Sequence, residues 1–262
     1  MNPLDSAVLP TSMDANAVQA QLGKLRVEQE RLFAQLHAGE QHFRRLARSV
    51  WRVQEDERRR LARELHDGIG QNLTALRHRL ESLAAAANFP PNLGPGLGTA
   101  IELCSTALEE TRSLSRLLRP QILDDLGLEP ALQWLLRSVA ESSAVSIEVE
   151  IQIQGIAIDG ELATLVFRLV QEGLNNMSKH AAAHNAVVRL TRRGPNLQLL
   201  IVDDGNGCDA TAALQRASSG QSTGLASMRE RVLLFGGQFQ FRSNVGEGTQ
   251  LRVTLPLEYS ES

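Results

Sequence analysis

From Leu22 to Val53 apolar residues recur in alternating steps of three and four: Leu22, Leu25, Leu32, Leu36, Phe43, Leu46, Val50 and Val53. Gln29 and Gly39 are the only polar or small interruptions, and Arg, Glu and Gln fill the flanks. Such a seam predicts a coiled coil, most simply a two-stranded one; a single amphipathic helix packed on another domain is the plainer reading of the same pattern. The stripe continues through Leu61, Leu65, Ile69, Leu73, Leu76, Leu80 and Leu83, so one long helix is expected to reach Ala87. Leu61, Leu65 and Ile69 are expected to face inward, which would turn His66 to the surface. Asn88-Phe89-Pro90-Pro91 and Gly94-Pro95-Gly96 read as breakers. A second helix fits Leu97, Ile101, Cys104, Leu108, Thr111 and Leu114 and should end before Pro120. Two such helices make an antiparallel hairpin whose apolar stripes it cannot cover alone, so two copies are expected to form a four-helix bundle. Residues 1–17 are polar and aperiodic and read as a loose terminus.

Beyond Pro120 the period changes. Leu132, Leu135, Leu136 and Val139 mark a short helix, and Val145, Ile147, Val149, Ile151 and Ile153 alternate as in a half-buried strand. Asp159 is placed to cap a helix carrying Leu162, Leu165, Val166, Leu169 and Val170. Strands are expected around Ala186–Leu190 and Leu197–Val202, then a mobile loop over Gly205–Thr223. A short helix near Leu225–Leu234 and a hairpin of Gln238–Phe241 with Thr249–Leu255 complete the pattern. Strand and crossover helix do not alternate regularly, so this half is expected to be an α/β sandwich and not a doubly wound sheet.

Composition narrows the function classes. A length of 262 residues suits two small domains, and 42% hydrophobic residues suffice for real cores. The net charge of -3 argues against a large sequence-independent nucleic-acid surface. Cys104 and Cys208 fit no metal spacing and read as unpaired thiols of a reducing compartment. No apolar run approaches the roughly 18–20 residues of a membrane helix, and no signal-peptide pattern is present, so a cytoplasmic protein is expected. Its input should then arrive through a partner or a soluble ligand.

Five polar constellations carry candidate chemistry. In Glu64-Leu65-His66-Asp67-Gly68-Ile69-Gly70-Gln71, a largely neutral imidazole can accept a phosphoryl group while Asp67 takes a hydrogen bond from its other nitrogen. In Gln171-Glu172 through Asn175-Asn176 and Lys179-His180, Glu172 and Asn176 share a helix face. They could hold Mg²⁺ with its waters while Lys179 and His180 meet phosphate. Asp203-Asp204-Gly205-Asn206-Gly207 ends an apolar strand with a carboxylate able to accept an adenine amine, and its glycines let backbone approach a nucleotide. Ser222-Thr223-Gly224-Leu225 opens a helix whose first N–H groups could meet phosphates. The fifth is Gly246-Glu247-Gly248-Thr249. Each has a plain alternative: a solvated helix face for the first two, ordinary turns for the glycine pairs. Their order and spacing together are the stronger signal.

In that order the sequence resembles the bacterial two-component histidine kinases of the nitrate/nitrite-sensor type, over roughly Glu57 to Leu257. Glu57 through Gln71 resembles the dimerisation and phosphoacceptor motif. Leu118-Arg119-Pro120 through Asp124-Asp125-Leu126-Gly127-Leu128 resembles the connector to the ATP domain. Gln171 to His180 is similar to the N box, Asp203 to Gly207 to the G1 box, and Gly224-Leu225 with Met228-Arg229-Glu230-Arg231 to the G2 region. These boxes belong to the GHKL (Bergerat) ATPase fold shared with gyrase and the heat-shock chaperones. The resemblance implies His66 as phosphoacceptor with Asp67 orienting it, Asn176 as Mg²⁺ ligand with Glu172 close by, and Asp203 on adenine. Lys179 and His180 would meet phosphate. Gly205, Gly207, Gly224, Leu225 and Thr249 would complete the ATP site, and residues 206–223 would form its lid. Gln71, four residues after Asp67, resembles the subfamily's phosphatase glutamine. Two departures are Ser222, where a glycine is common, and Asn175, where a threonine is common.

The expected organisation is a loose N-terminus (1–17), a coiled-coil signalling helix (18–56), a dimerisation and phosphotransfer domain (57–119), an ATP-binding domain (120–258) and a tail (259–262). The expected partners are a second copy of the chain, a response-regulator receiver domain, and an upstream sensor protein acting through the coiled coil. A phosphatase-biased member and a non-catalytic dimeric adaptor are the alternatives to the kinase.

Overall fold

The computed structural model describes residues 15–86, 90–119, 121–143, 145–218 and 223–257. The expectations for residues 1–14, for Ser222 and for the tail at 259–262 lie outside the described residues. The chain divides into two compact units, Met1–Trp51 and Arg52–Ser262. In the first unit the described residues belong to one helix, α1 (Ala15–Glu64), which continues into the second. Its heptad seam is open to solvent: Leu22, Leu25, Leu32, Leu36, Phe43 and Leu46 are all more than half exposed. A lone helix gains nothing by presenting such a seam, and its geometry suits a second helix.

The second unit begins with a helical hairpin. α1 passes through a π-helical turn, Leu65–Gly70, into α2 (Gln71–Ala84), and α3 (Gly94–Leu118) returns antiparallel. Small or polar residues bring the helices together: Ala62, Cys104 and Ser115 are buried along with Leu108. Ser115 donates to Ala62 O at 2.9 Å and Cys104 Sγ lies 3.3 Å from Leu73 O. Within the single chain the expected inward set divides. Leu65, Leu73 and Leu80 are half-buried, whereas Leu61, Ile69, Leu76 and Leu83 are exposed. The seven-residue repeat therefore splits into two stripes, one on α3 and one left uncovered. Gly94-Pro95-Gly96 does not break the second helix but opens it, since proline at N1 or N2 removes only an N–H that has no helical acceptor.

The remaining elements are α4 (Gln121–Asp125), α5 (Leu128–Ser142), β1 (Ser146–Gln152), α6 (Gly160–Asn176), β2 (Asn185–Arg193), β3 (Asn196–Asp203), α7 (Ala210–Ser218), α8 (Thr223–Leu234), β4 (Gln238–Ser243) and β5 (Thr249–Pro256). The five strands form one sheet in the order β1-β2-β3-β5-β4, with β1 parallel to β2 and every other pair antiparallel. Alternate residues of the central strands, among them Val188, Leu190, Leu199, Val253 and Leu255, are fully buried on one face. That face meets Leu132 and Leu136 of α5, Leu165, Val166 and Leu169 of α6, and Val232 of α8, which gives the expected sandwich. Asp159 caps α6 as its position suggested, accepting from Glu161 N at 3.1 Å. Val149 is 42% exposed in spite of its alternating neighbours, because β1 lies at the sheet edge. The loop expected over Gly205–Thr223 contains α7. Leu214 among alanines gave no periodic signal, but Asp209 starts the helix by accepting from Ala212 N at 3.0 Å.

One polar cluster had no sequence signature. Glu55 of α1 and Arg168 of α6 are each only 4% exposed. The Glu55 carboxylate accepts from Arg168 Nε at 3.0 Å and Nη2 at 2.7 Å. Arg119 lies 3.8 Å from Glu55 and 2.8 Å from Asp124, and Asp124 also pairs with Arg59 at 2.9 Å. The end of α1, the connector and α6 are thereby tied together by charge.

Candidate active site

α6 carries Glu172 and Asn176 one turn apart, and a π-helical turn, Met177–Ala181, follows it directly with Lys179 and His180. These four line a cavity of about 700 Å³. Asp203 enters it from the last position of β3, where the strand register sets it opposite Thr249 at the first position of β5. Gly207, Gly224 and Leu225 complete the set brought together there. Ile201, Met177, Met228, Phe241 and Leu251 supply apolar walls suited to a flat ring.

Partial burial raises the Asp203 pKa above the usual carboxylate value, while the backbone N–H groups of Gly205 and Thr249 hold it partly down. Gly205 N donates to Asp203 Oδ1 at 3.0 Å. Next to it, Asp204 faces away from this cavity and accepts from His184 N, Asn185 N and Asn185 Nδ2 at 2.8–2.9 Å. Those donors hold its pKa down to about 2, so Asp204 braces the start of β2.

The glycines divide into two roles. Gly207 has φ +58 and a Cβ there would collide with the Asn244 carbonyl, so backbone conformation and space both demand glycine. At Gly224 a Cβ would strike the Glu172 carboxylate, so its absence lets the start of α8 close on the Glu172–Asn176 face. The expectation for Gly205 is corrected: it does not line the cavity. Its backbone presses on Ala181, where Asn206 N donates to Ala181 O at 2.7 Å, and this contact leaves no room for a side chain. Arg216 of α7 and Cys208 also line the cavity and were missed. Both fall in the stretch whose composition read as loop.

The other predicted residues gather elsewhere. His66 and Asp67 sit on the π-helical turn, with His66 Nδ1 2.9 Å from Asp67 Oδ1 and both side chains at least half exposed. Gln71, the first residue of α2, lines a hollow of about 370 Å³ together with His66. A second hollow of about 280 Å³ on the other side of His66 includes Trp134 of α5, which the sequence did not single out. His66 is not among the residues that line the large cavity.

An exposed His-Asp pair on a helical hairpin, followed by a sandwich with this polar-rimmed cavity, defines the catalytic-core class of histidine kinases. Residues 57–123 match the family model "Histidine kinase", and residues 161–259 match "Histidine kinase-, DNA gyrase B-, and HSP90-like ATPase". The sensor histidine kinase MctS of Rhizobium johnstonii is 33% identical over 86% of this chain and 48% of its own length. The signal transduction histidine-protein kinase/phosphatase UhpB of Salmonella typhimurium is 36% identical over 82% of this chain and 42% of its own. The chain belongs to the two-component sensor histidine kinases of the nitrate/nitrite-sensor type. It spans about half the length of the curated relatives it matches. The histidine kinase domain of a blue-light activated histidine kinase from Erythrobacter litoralis matches with a TM-score of 0.44 at 20% identity, covering 71% of this chain and 94% of that one. Among the described residues no helix is long and apolar enough to cross a membrane.

Proposed function

We propose that this chain is an ATP-dependent protein-histidine kinase that phosphorylates its own His66 and passes the phosphoryl group to an aspartate of a response-regulator receiver domain. The observation that carries the reading is convergence: Glu172, Asn176, Lys179, Asp203 and Gly224, from α6, the π-helical turn, β3 and α8, line one cavity. Asp203 would accept from the adenine amine, and Lys179 and His180 would meet phosphate. Among the described residues there is no cluster of three or more His, Cys, Asp or Glu side chains able to hold a metal by themselves. A carboxylate and an amide beside a phosphate site suit Mg²⁺, a hard cation bound by few protein oxygens and completed by phosphates and water. Asn176 would hold it, Glu172 would act close by, and the ion would supply charge neutralisation at the phosphates.

In the transfer, the Nε2 lone pair of neutral His66 forms the N–P bond. The bond from the γ-phosphorus to the bridging oxygen breaks, and its electron pair leaves with ADP. The hydrogen bond from Nδ1–H to Asp67 fixes the tautomer that leaves Nε2 free. Since His66 does not line the nucleotide cavity, transfer needs the ATP domain to move, or the ATP domain of a second copy. The uncovered stripe of Leu61, Ile69, Leu76 and Leu83 supports a homodimer closed as a four-helix bundle. The proposed organisation follows: residues 18–56 as a coiled coil receiving input from an upstream sensor, 57–119 for dimerisation and phosphotransfer, and 120–258 for ATP binding. ATP supply and two unpaired cysteines support a cytoplasmic setting.

A second activity has its own observation, because Gln71 shares a hollow with His66. Its amide can hold a water in line with the acyl phosphate of a docked receiver, which supports phosphatase action from the same helix face. The test of the kinase is labelling with γ-labelled ATP. An acid-labile, base-stable label is expected, and His66→Gln should lose it while still binding nucleotide. Label persisting in that variant overturns the assignment.

A further inference from the structure

The hairpin register decides what stands across from His66. Between the ties Ser115–Ala62 and Cys104–Leu73, the Thr111–Arg112 segment of α3 lies opposite the His66 turn. Two hollows flank His66, of about 370 and 280 Å³, and His66 and Arg112 are the two residues that line both. The smaller hollow holds two further arginines, but each is committed. Arg116 pairs with Glu109 at 2.5 Å, and Arg119 pairs with Asp124 at 2.8 Å. Arg112 differs. Among the described residues its ion pair is a 3.8 Å contact with Glu109, whose other oxygen is taken by Arg116, and half of its side chain is open to solvent. A guanidinium so loosely paired keeps its N–H fork available for an arriving anion.

We propose that Arg112 is the phosphoryl-binding residue of the acceptor site, gripping the equatorial oxygens of the group as it moves onto His66 and holding the phosphohistidine for the next transfer. The proposal rests on the kinase reading above. In the step the N–P bond forms, the bond to ADP breaks with its electron pair on ADP, and Arg112 gives charge and two N–H donors but no proton. Loss of a positive charge at a transferring phosphoryl group, where negative charge spreads over three oxygens, slows transfer without weakening nucleotide binding in a separate cavity.

Two measurements on the whole chain test this. The first is an NMR titration of the His66 ring C–H signals, assigned by their loss in His66→Gln, with inorganic phosphate as probe. Phosphate should shift these signals in the wild type, with apparent affinity at least tenfold weaker in Arg112→Gln and partly restored in Arg112→Lys. The second is single-turnover labelling at saturating ATP. Arg112→Gln should slow it tenfold or more with the nucleotide Kd unchanged, Arg112→Lys should fall between, and Arg116→Gln should stay within twofold of wild type. A half-exposed position leaves the core intact in all three variants. Equal phosphate titrations for Arg112→Gln and wild type, or equal labelling rates, overturn the proposal. Failure of the kinase reading has a different signature: His66 of the wild type takes no label, while the phosphate titration still separates Arg112→Gln from wild type.

Discussion

Replacing Glu55 with glutamine removes one negative charge from a pocket where Arg168 is 4% exposed and where Arg119 and Arg58 also stand within 4 Å of the carboxylate. Asp124 still neutralises Arg119, and Arg168 keeps Gln171 Oε1 at 2.8 Å and the Leu118 carbonyl. The guanidinium of Arg168 thus keeps these hydrogen bonds but loses the charge of Glu55. Burial already lowers its pKa, and the Glu55 hydrogen bond is the largest opposing influence. Breaking one side of a buried pair costs about 3–5 kcal/mol. Because glutamine retains one acceptor oxygen, the lower end, ~3 kcal/mol, is expected for Glu55→Gln. For a unit of this size that lowers the unfolding midpoint by about 6–12 °C. Far- and near-UV circular dichroism melts of wild type, Glu55→Gln, Arg168→Met and the double variant close a cycle. The double variant should be less destabilised than the sum of the singles by at least ~2 kcal/mol, since neither charge is then left alone. Midpoints of both single variants within 1 °C of wild type, or simple additivity, would refute the claim that this pair joins α1 to α6.

Three further outcomes are expected. Asn176→Asp and Asp203→Ala should each weaken nucleotide binding at least tenfold, by calorimetry, with an unchanged circular dichroism spectrum, because both positions face the cavity and not the core; wild-type affinity in either would remove that residue from the site. Gln71→Ala should keep most autophosphorylation yet slow the decay of a receiver's acyl phosphate tenfold or more, and equal decay curves would dismiss the water-holding role. On acidification, nucleotide affinity should fall at a pH above the usual carboxylate midpoint of ~3.9, because the raised Asp203 pKa lets it take a proton first. Asp204 works in the opposite direction: its stabilisation is in place above ~3.9 and is lost only as pH falls through about 2. Nucleotide binding should therefore weaken before the Asp204 brace is lost, and an Asp203→Asn protein should lose that step in its pH profile; an unaltered profile in Asp203→Asn would assign the titration elsewhere.

Periodicity and local chemistry were enough to predict the helix through the heptads, the second helix, the alternating strands, the Asp159 cap and several polar residues of the cavity, among them Glu172, Asn176, Lys179, His180 and Asp203. Each is a short-range matter: a helix repeats every 3.6 residues, a strand every two, and a cap or i,i+4 pair acts within one turn. What depended on approach between distant segments was not legible. The division of the leucines into a covered and an uncovered stripe turns on Ala62 and Ser115 meeting across the hairpin, and on a π-helical turn that no repeat announces. Gly205 read as nucleotide-facing until its backbone was seen pressed on Ala181, and α7 was hidden among alanines. Glu55 and Arg168 stand 113 positions apart and look like any surface charges in a sequence. A buried ion pair has no local pattern, because what makes it strong is the exclusion of water by residues drawn from three separate elements.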